Sequence, residues 1–303
     1  MAEVILTEVR ARAGAKLAAC KRHPCLSGEA HLKYGRIHLP VSPACNIGCR
    51  FCGRGIHSEN VPGAAGRILT PEEAADVLGR ALELCPEISV AGVAGPGDAL
   101  ATDHAIETFR IIKDRYPHII KCLSTNGLKL AEKIPQLKEI GLDSLTVTIN
   151  SLVPEILEKI NAFTVTDGRV LTGIESARAL IAAQKRGLEA AGRELDAVIK
   201  INTVLVPGVN DLEIASIAEK TAALGASIMN IIPLIPQHGM ADKKEPSCQE
   251  LNAAREAAAP FLDVFRHCKR CRADAAGVMG KNQDISKQLY GDEAPAGDSF
   301  SHG

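Results

Sequence analysis

Tryptophan is absent from this chain of 303 residues, and aromatic residues make up only 3% of it. Proteins that grip nucleic acid by stacking its bases need a platform of such rings, so that class is excluded. An excess of charge is missing too. The 35 lysines and arginines stand against 36 aspartates and glutamates, for a formal net charge of -1. A near-neutral surface has no electrostatic hold on a phosphate backbone. No apolar run reaches the length of a membrane span. The opening residues, MAEVILTEVRARAGAKLAAC, contain no signal-peptide core, and Glu3 and Glu8 among the basic residues are unlike a transit peptide. There is no internal repeat. What is left is a cytoplasmic globular protein with neither nucleic acid nor membrane as partner. Its 10 cysteines need a use other than disulfides, which are rare in a reducing compartment.

The remaining composition, 46% hydrophobic and 23% charged, suits a globular protein with a sizeable core. From residue 37 onward, β-rich apolar runs alternate with helical patterns. The runs at 37–41, 88–93, 119–123, 145–149, 198–206 and 228–235 read as strands. Helical patterns occupy 71–84, 103–114, 129–140, 153–160, 171–190 and 212–224. The first has Thr70 as N-cap, Pro71 in the first position, and Glu72 and Glu73 in the first turn. Asn210 and Asp211 offer polar capping for the last. Strand–helix alternation implies parallel pairing through right-handed crossovers. The expected fold is therefore α/β, a partial (β/α)6 barrel over 37–262. An N-terminal extension over 1–36 and a C-terminal segment over 263–303, with a tail from Gly280 that is flexible or a loosely ordered cap, flank it.

In such barrels the site forms on the loops at the C-terminal ends of the strands. Four of these loops carry unusual residues: Cys45 to Cys52 after the first strand, Ala94-Gly95-Pro96-Gly97-Asp98 after the second, Ser124-Thr125-Asn126-Gly127 after the third and Asn150 after the fourth. Cys45, Cys49 and Cys52 form a C-x3-C-x2-C run. Three thiolates on one loop reach three corners of an iron–sulfur cube and leave the fourth iron open, whereas an electron carrier closes all four. The competing reading is zinc, whose structural sites want four ligands, commonly in paired C-x2-C spacing. Gly95 and Gly97 have no Cβ and let the backbone approach a ligand; the alternative is a plain turn. Ser124, Asn126, Asn150 and Asn202 are polar groups for a ligand or, equally, turn caps.

The cysteine run at the end of a first barrel strand, with Phe51 beside its last cysteine and the glycine-rich turn at 94–98, resembles the radical SAM superfamily. The resemblance covers the chain from the first strand to the sixth. It implies that Cys45, Cys49 and Cys52 hold a 4Fe–4S cluster whose open iron chelates S-adenosylmethionine (SAM). It implies further that Gly95, Gly97, Asp98, Ser124, Asn126, Asn150 and Asn202 surround SAM. An electron from the cluster breaks a sulfur–carbon bond, leaving methionine and a 5′-deoxyadenosyl radical that abstracts hydrogen.

Other ligand-type residues frame the barrel: His23-Pro24-Cys25 before it, His267-Cys268-Lys269-Arg270-Cys271 after it, and Cys122 in the third strand. A C-x2-C pair in a cytosolic chain reads as metal binding or redox. A lone strand cysteine more often belongs to the core. Taken with Ala30-His31, Arg36-x-His38, Thr148-Ile149-Asn150, Pro207-Gly208-Val209-Asn210-Asp211 and Arg272-Ala273-Asp274, these segments resemble one family within the superfamily, the maturases of nitrogenase cofactor biosynthesis.

That resemblance implies a lyase-type enzyme of nitrogen fixation. It fuses two auxiliary 4Fe–4S clusters with a SAM-derived carbide and an extra sulfur into the 8Fe cofactor precursor. One SAM gives a methyl group to a cluster sulfide; a second gives the radical. The implied auxiliary ligands are His23, Cys25, Cys122, Cys268 and Cys271, with Glu59 as a weak, exchangeable one. The alternative for Glu59 is a solvated loop carboxylate. A histidine is more easily released than a thiolate and takes up protons near neutral pH. His31 and His38 are assigned no metal and read as orienting hydrogen-bond donors; for His38, inside the first strand, the alternative is a satisfied core histidine. The implied partners are iron–sulfur cluster donors and a downstream carrier or scaffold protein for the nitrogenase cofactor.

Many bacterial members continue into a carrier domain, whereas this chain resembles the short form. Its loop from 52 to 59 is also shorter, which leaves the register of Glu59 open. Cys20, Cys85 and Cys248 match no role and suit small buried hydrophobes. Two other classes compete: another radical SAM enzyme with auxiliary clusters, and a non-enzymatic iron–sulfur scaffold that binds clusters without cleaving SAM.

Overall fold

A computed structural model describes residues 16–294 apart from 18, 19, 54, 58 and 60. In chain order its strands are β1 (Gly35–His38), β2 (Ile47–Cys49), β3 (Ile88–Val93), β4 (Ile120–Thr125), β5 (Ser144–Thr148), β6 (Asn161–Thr166), β7 (Arg169–Thr172), β8 (Val198–Leu205), β9 (Ile228–Pro233), β10 (Asp263–Val264), β11 (Ala276–Val278) and β12 (Gln283–Asp284). The six expected strands are β1, β3, β4, β5, β8 and β9. They lie side by side in that order, all parallel. The helices Pro71–Leu84, His104–Arg115, Leu130–Glu139, Gly173–Glu194 and Ile214–Ala223 fill the crossovers. Each crossover steps the same way along the sheet. Right-handed crossovers that never reverse put every helix on one face, and the sheet curls round the other as an open barrel.

Strand alternation divides the residues between these faces. Ile37, Leu123, Leu145, Val147, Ile199, Ile201 and Met229 are buried in the main core. Their neighbours Arg36, His38, Cys122, Ser124, Lys200, Asn202 and Asn230 line a cavity instead. Burying one large aliphatic side chain on the helix side is worth roughly 1.5–3 kcal/mol. Cutting one such as Leu145 back to alanine costs about 2–5 kcal/mol. The Pro71–Leu84 helix begins as its sequence predicts. Thr70 Oγ1 accepts from Glu73 N at 3.3 Å, and Glu73 Oε2 accepts from Thr70 N at 2.8 Å. This capping box satisfies two amides that a helix start otherwise leaves unpaired.

The structure departs from the sequence reading in four places. The triad loop is itself part of a second sheet, in the order β2-β6-β7. The hairpin β6–β7 turns at Asp167 and Gly168, both at positive φ. An Asp-Gly pair suits the two-residue turn whose twist matches the strands. Second, Asn210 does not cap with its side chain. Its Nδ2 donates to the carbonyls of Asn150 and Val204 at 2.8 and 2.9 Å, bracing the ends of β5 and β8. Third, the segment from Gly280 to residue 294 is no loose tail. β11 pairs antiparallel with β1, β12 pairs with β11, and Leu289 and Tyr290 of the Ser286–Tyr290 helix are buried. Residues 295–303 lie outside the described residues. Fourth, the N-terminal extension closes the floor of the barrel. Leu17, Cys20 and Leu26 pack with Phe265 against Val198 and Ile228, the first residues of β8 and β9.

A candidate active site of two joined cavities

The upper cavity opens where the strands end. Cys45, Cys49 and Cys52 line it with the turns that follow β3, β4 and β5. Its volume of about 550 Å³ is in the range of small-molecule sites. The cysteine loop is fixed by backbone bonds: Cys52 N donates to Cys49 O at 3.0 Å, Arg50 N to Ile160 O at 2.9 Å and Val165 N to Asn46 O at 2.8 Å. The glycine-rich turn is stitched to the segment before it. Gly97 N donates to Ser42 O and Asp98 N to Ala44 O, both at 2.8 Å. Gly95 has φ 145, a region closed to most side chains. A Cβ on Gly97 would lie 2.1 Å from the Ala44 carbonyl oxygen, so only glycine permits this approach.

The expected polar residues divide by what they touch. The Asp98 carboxylate is a brace: it accepts from Leu100 N at 2.9 Å, Thr125 Oγ1 at 3.0 Å and Asn126 N at 2.5 Å. That fixes Asn126, whose Nδ2 donates to Asn46 Oδ1 at 2.7 Å and lies 3.9 Å from Cys45 Sγ. Asn150 accepts from Val204 N at 2.9 Å. Asn202 accepts from Asn230 Nδ2 at 3.1 Å. Ser124 and Asn202 line both cavities.

Two further residues escaped the sequence reading. Asn161 and Gln184 are buried and line the upper cavity. Both amide atoms of Asn161, and Oε1 of Gln184, are without a hydrogen-bond partner among the described residues. Gln184 is aimed by its Nε2, which donates to the carbonyls of Asn126 at 2.8 Å and Thr148 at 3.0 Å. Buried amides left unpaired are costly, so the cavity is built for a polar guest. These orphaned amides, three thiols on one loop and the room beside them fit a 4Fe–4S cluster with SAM. Among the described residues no three His, Cys, Asp or Glu side chains close on one point as a single metal ion needs; a four-iron cube takes its thiolates at separate corners.

The lower cavity, about 220 Å³, lies inside the barrel. His23, Cys25, Cys122, Cys268 and Cys271 all line it, so five residues from three distant segments meet. His23 is 1% exposed; its Nδ1 accepts from Cys25 N at 3.1 Å, and its Nε2 has no partner among the described residues. Burial, helped by the charges of Lys200 and Arg36, holds its pKa down at about 3. Burial pushes the Cys122 thiol up to about 11, against the pull of Lys200. It pushes Cys271 up to about 11 too, against Arg36. At neutral pH these two thiols stay protonated.

His38 Nδ1 lies 2.9 Å from the Arg272 carbonyl, which sets it as the donor nitrogen and leaves Nε2 the lone pair. His31 Nδ1 lies 3.3 Å from the Pro24 carbonyl, with its ring 5.7 Å from that of His267. The C-terminal cysteines are tied in by a buried ion pair. Arg272 meets Asp274 at 2.8 Å and also donates to the carbonyls of His57 and Glu59. Gly63 N donates to Cys271 O at 3.0 Å, and Ala273 N to Ala64 O at 2.7 Å. Glu59 is brought close only by its backbone. It is exposed, and its side chain lines neither cavity. Cys20, Cys85 and Cys248 lie outside both; Cys20 and Cys85 are buried as expected, but Cys248, the first residue of the Cys248–Ala258 helix, is exposed. Phe51, Cys52, Ser124, Asn202, Val204 and Ile232 are walls of both cavities, so the two are adjoining rooms.

A cysteine-loop site at the mouth of a singly wound open barrel defines a class, and comparison with known proteins identifies it. The profile of the Radical SAM superfamily matches residues 39–221, and a radical SAM methyltransferase from Sphaerobacter thermophilus shares the fold with a TM-score of 0.52, at 19% identity over 75% of this chain and 64% of that one. The FeMo cofactor biosynthesis protein NifB of Methanocaldococcus infernus is 42% identical over 89% of both chains, and that of Methanocaldococcus jannaschii 42% identical over 89% of this chain and 90% of its own. NifB of Klebsiella pneumoniae is 40% identical over 90% of this chain, which spans only 60% of that longer protein. The chain belongs to the radical SAM superfamily and, within it, to the NifB family. The superfamily brings with it a 4Fe–4S cluster and SAM.

Proposed function

We propose that this protein acts in FeMo cofactor biosynthesis by fusing two 4Fe–4S clusters, its substrates, into an 8Fe precursor around a SAM-derived carbide, with uptake of an extra sulfur. The observation that carries this is the pair of adjoining cavities. One is furnished for a resident cluster and SAM, the other with thiols and an imidazole from three segments. When bound in the upper cavity, the SAM-loaded cluster supplies a methyl group and a carbon radical.

The chain's own residues do the rest. Cys45, Cys49 and Cys52 hold the resident cluster and leave one iron open. Asp98 sets Asn126 against the cysteine loop, and Asn150, Asn161, Asn202 and Gln184 present polar atoms to SAM. Gly95 and Gly97 let the backbone reach it. Cys25, Cys122, Cys268, Cys271 and His23 hold the substrate clusters, in part through a nitrogen that releases more readily than a thiolate. So sparse a set suits a guest that must merge and leave. Ser124 and Asn202, shared between the cavities, face the path that carbon takes. Glu59 is assigned no metal here, since its carboxylate lies outside both cavities. No helix among the described residues is long and apolar enough to cross a membrane. The proposed setting is the cytoplasm, with cluster donors upstream and a cofactor carrier or scaffold downstream.

The test uses protein reconstituted with iron and sulfide without oxygen, then given SAM and a strong reductant. S-adenosylhomocysteine and 5′-deoxyadenosine are expected together, because methyl transfer and radical formation are both required. Deoxyadenosine alone would leave a radical SAM enzyme and sink the cofactor-building reading.

A further inference from the structure

Among the described residues, the lower cavity is lined by Arg36, Lys200, Lys269 and Arg270 and by no carboxylate. At its rim, Arg270 has Glu245 at 3.8 Å. Deeper in, Arg36 donates to the Ala275 carbonyl at 2.8 Å and stands beside Cys25 and Cys271. Lys200 is different. It is the third residue of β8, paired across the sheet with Thr146, on the inward face. It is 8% exposed. Among the described residues no ion pair or hydrogen bond holds its ammonium; it has the face of Phe265, 5.7 Å from the ring centroid. Its charge is felt by Cys122, His23 and His38. A buried ammonium is costly unless an anion meets it, and an aromatic face returns only part of that cost. Neither the cysteine loop nor the polar set round SAM needs a cation here.

We propose that Lys200 is a binding residue for the anionic iron–sulfur substrate, neutralising the cluster held at the Cys122 wall as Arg36 does at the Cys25 and Cys271 wall. A cuboidal cluster with thiolate ligands carries net negative charge. Two buried cations facing the thiols offset the negative charge of the guest. The emptied room is then overcharged, which favours refilling. This rests on the reading that the lower cavity takes iron–sulfur clusters, and the experiment separates the two.

The full chain carrying Cys45→Ala, Cys49→Ala and Cys52→Ala has only its lower cavity to load. It is reconstituted with ferrous iron and sulfide without oxygen, alone and with Lys200→Met or Lys200→Arg added. Bound iron and sulfide, the rate of iron loss to a chelator, and the melting temperature of the iron-free forms are measured. The parent is expected to hold iron, and Lys200→Met to lose it at least about tenfold faster. Lys200→Arg, which keeps the charge, stays close to the parent. Iron-free Lys200→Met melts no lower than its parent, because an unpaired buried charge has been removed. Equal iron retention in Lys200→Met overturns the proposal, and so does a lowered melting temperature of its iron-free form, which would make Lys200 a packing residue. A parent that takes no iron at all sinks the cluster reading of the cavity instead.

Discussion

The upper cavity owes its thiols to one loop; the lower draws its own from segments at both ends of the chain and from the middle of the sheet. Their settings differ as well. Cys45 and Cys52 are exposed and Cys49 is half-buried; in the lower cavity Cys268 is exposed and Cys25, Cys122 and Cys271 are half-buried, and desolvation pushes the Cys122 and Cys271 thiols up to about 11. An accessible loop can be filled and left filled. A set gathered from three segments, with two of its thiols held protonated, can let go of a ligand by a small shift of one segment. The proposed division between a resident cluster and guest clusters matches how each site is assembled.

The sharpest way to break this contrast is Cys49→Ala. It is expected to abolish SAM cleavage while the lower cavity keeps its iron, read as deoxyadenosine formed and iron bound. Loss of both would mean that the cavities stand or fall together. Next in size is Arg272→Met, which strands Asp274 and frees the loop at His57 and Glu59. Breaking a buried pair costs about 3–5 kcal/mol, so the unfolding midpoint should drop clearly. Iron in the lower cavity should loosen more than deoxyadenosine formation falls; an equal loss would count against separate assembly. Asn161→Ala acts on the other room. SAM affinity, measured by equilibrium binding, is expected to weaken about tenfold with lower-cavity iron unchanged. An unaltered affinity would return Asn161 to the hairpin it starts.

The smallest effect is a pH slope. Burial and then the Arg36 charge hold His38 well below its ordinary 6.5. As pH falls through 6.5 the unfolded chain takes up a proton that the folded chain refuses, so stability declines on the acid side. In iron-free protein, melting temperatures from about pH 7 to pH 5 should fall less steeply for His38→Gln than for the parent. Among the described residues no histidine lines the upper cavity, and His38 lines the lower one, so the difference belongs there.

The legibility of the two rooms differed in the same way. The six barrel strands were readable because their apolar runs are bounded by turns, and the Pro71–Leu84 helix because Thr70, Pro71 and Glu73 declare its start. The cysteine loop was readable because its ligands are close in sequence. The inward facing of Lys200 and Arg36 was not. In its strand Lys200 reads as a break in an apolar pattern, and Arg36 falls in the extension before the first expected strand; only the curl of the sheet shows that they face inward together. Asn161 and Gln184 lie on a hairpin and a helix face that no spacing links. The hairpin itself was announced by Asp167-Gly168, a signal that was there to use. The C-terminal strand escaped because Ala276–Val278 is too short for alternation to show. Asn210 looked like a cap because asparagine favours that place, and tertiary contacts drew its side chain inward instead.

The nine-stranded sheet ends on each side in a strand of two residues, β10 at Asp263–Val264 and β12 at Gln283–Asp284. Unpaired strand edges are templates for sticking to another molecule, and short edges bearing charge are poor templates. Both borders here are short, and both carry an aspartate. Removing the chain after residue 275 would strip β11 from β1 and lay bare the edge of the strand that carries Arg36 and His38. A shortened protein of that kind should therefore be lost to aggregation before any defect in its chemistry can be seen.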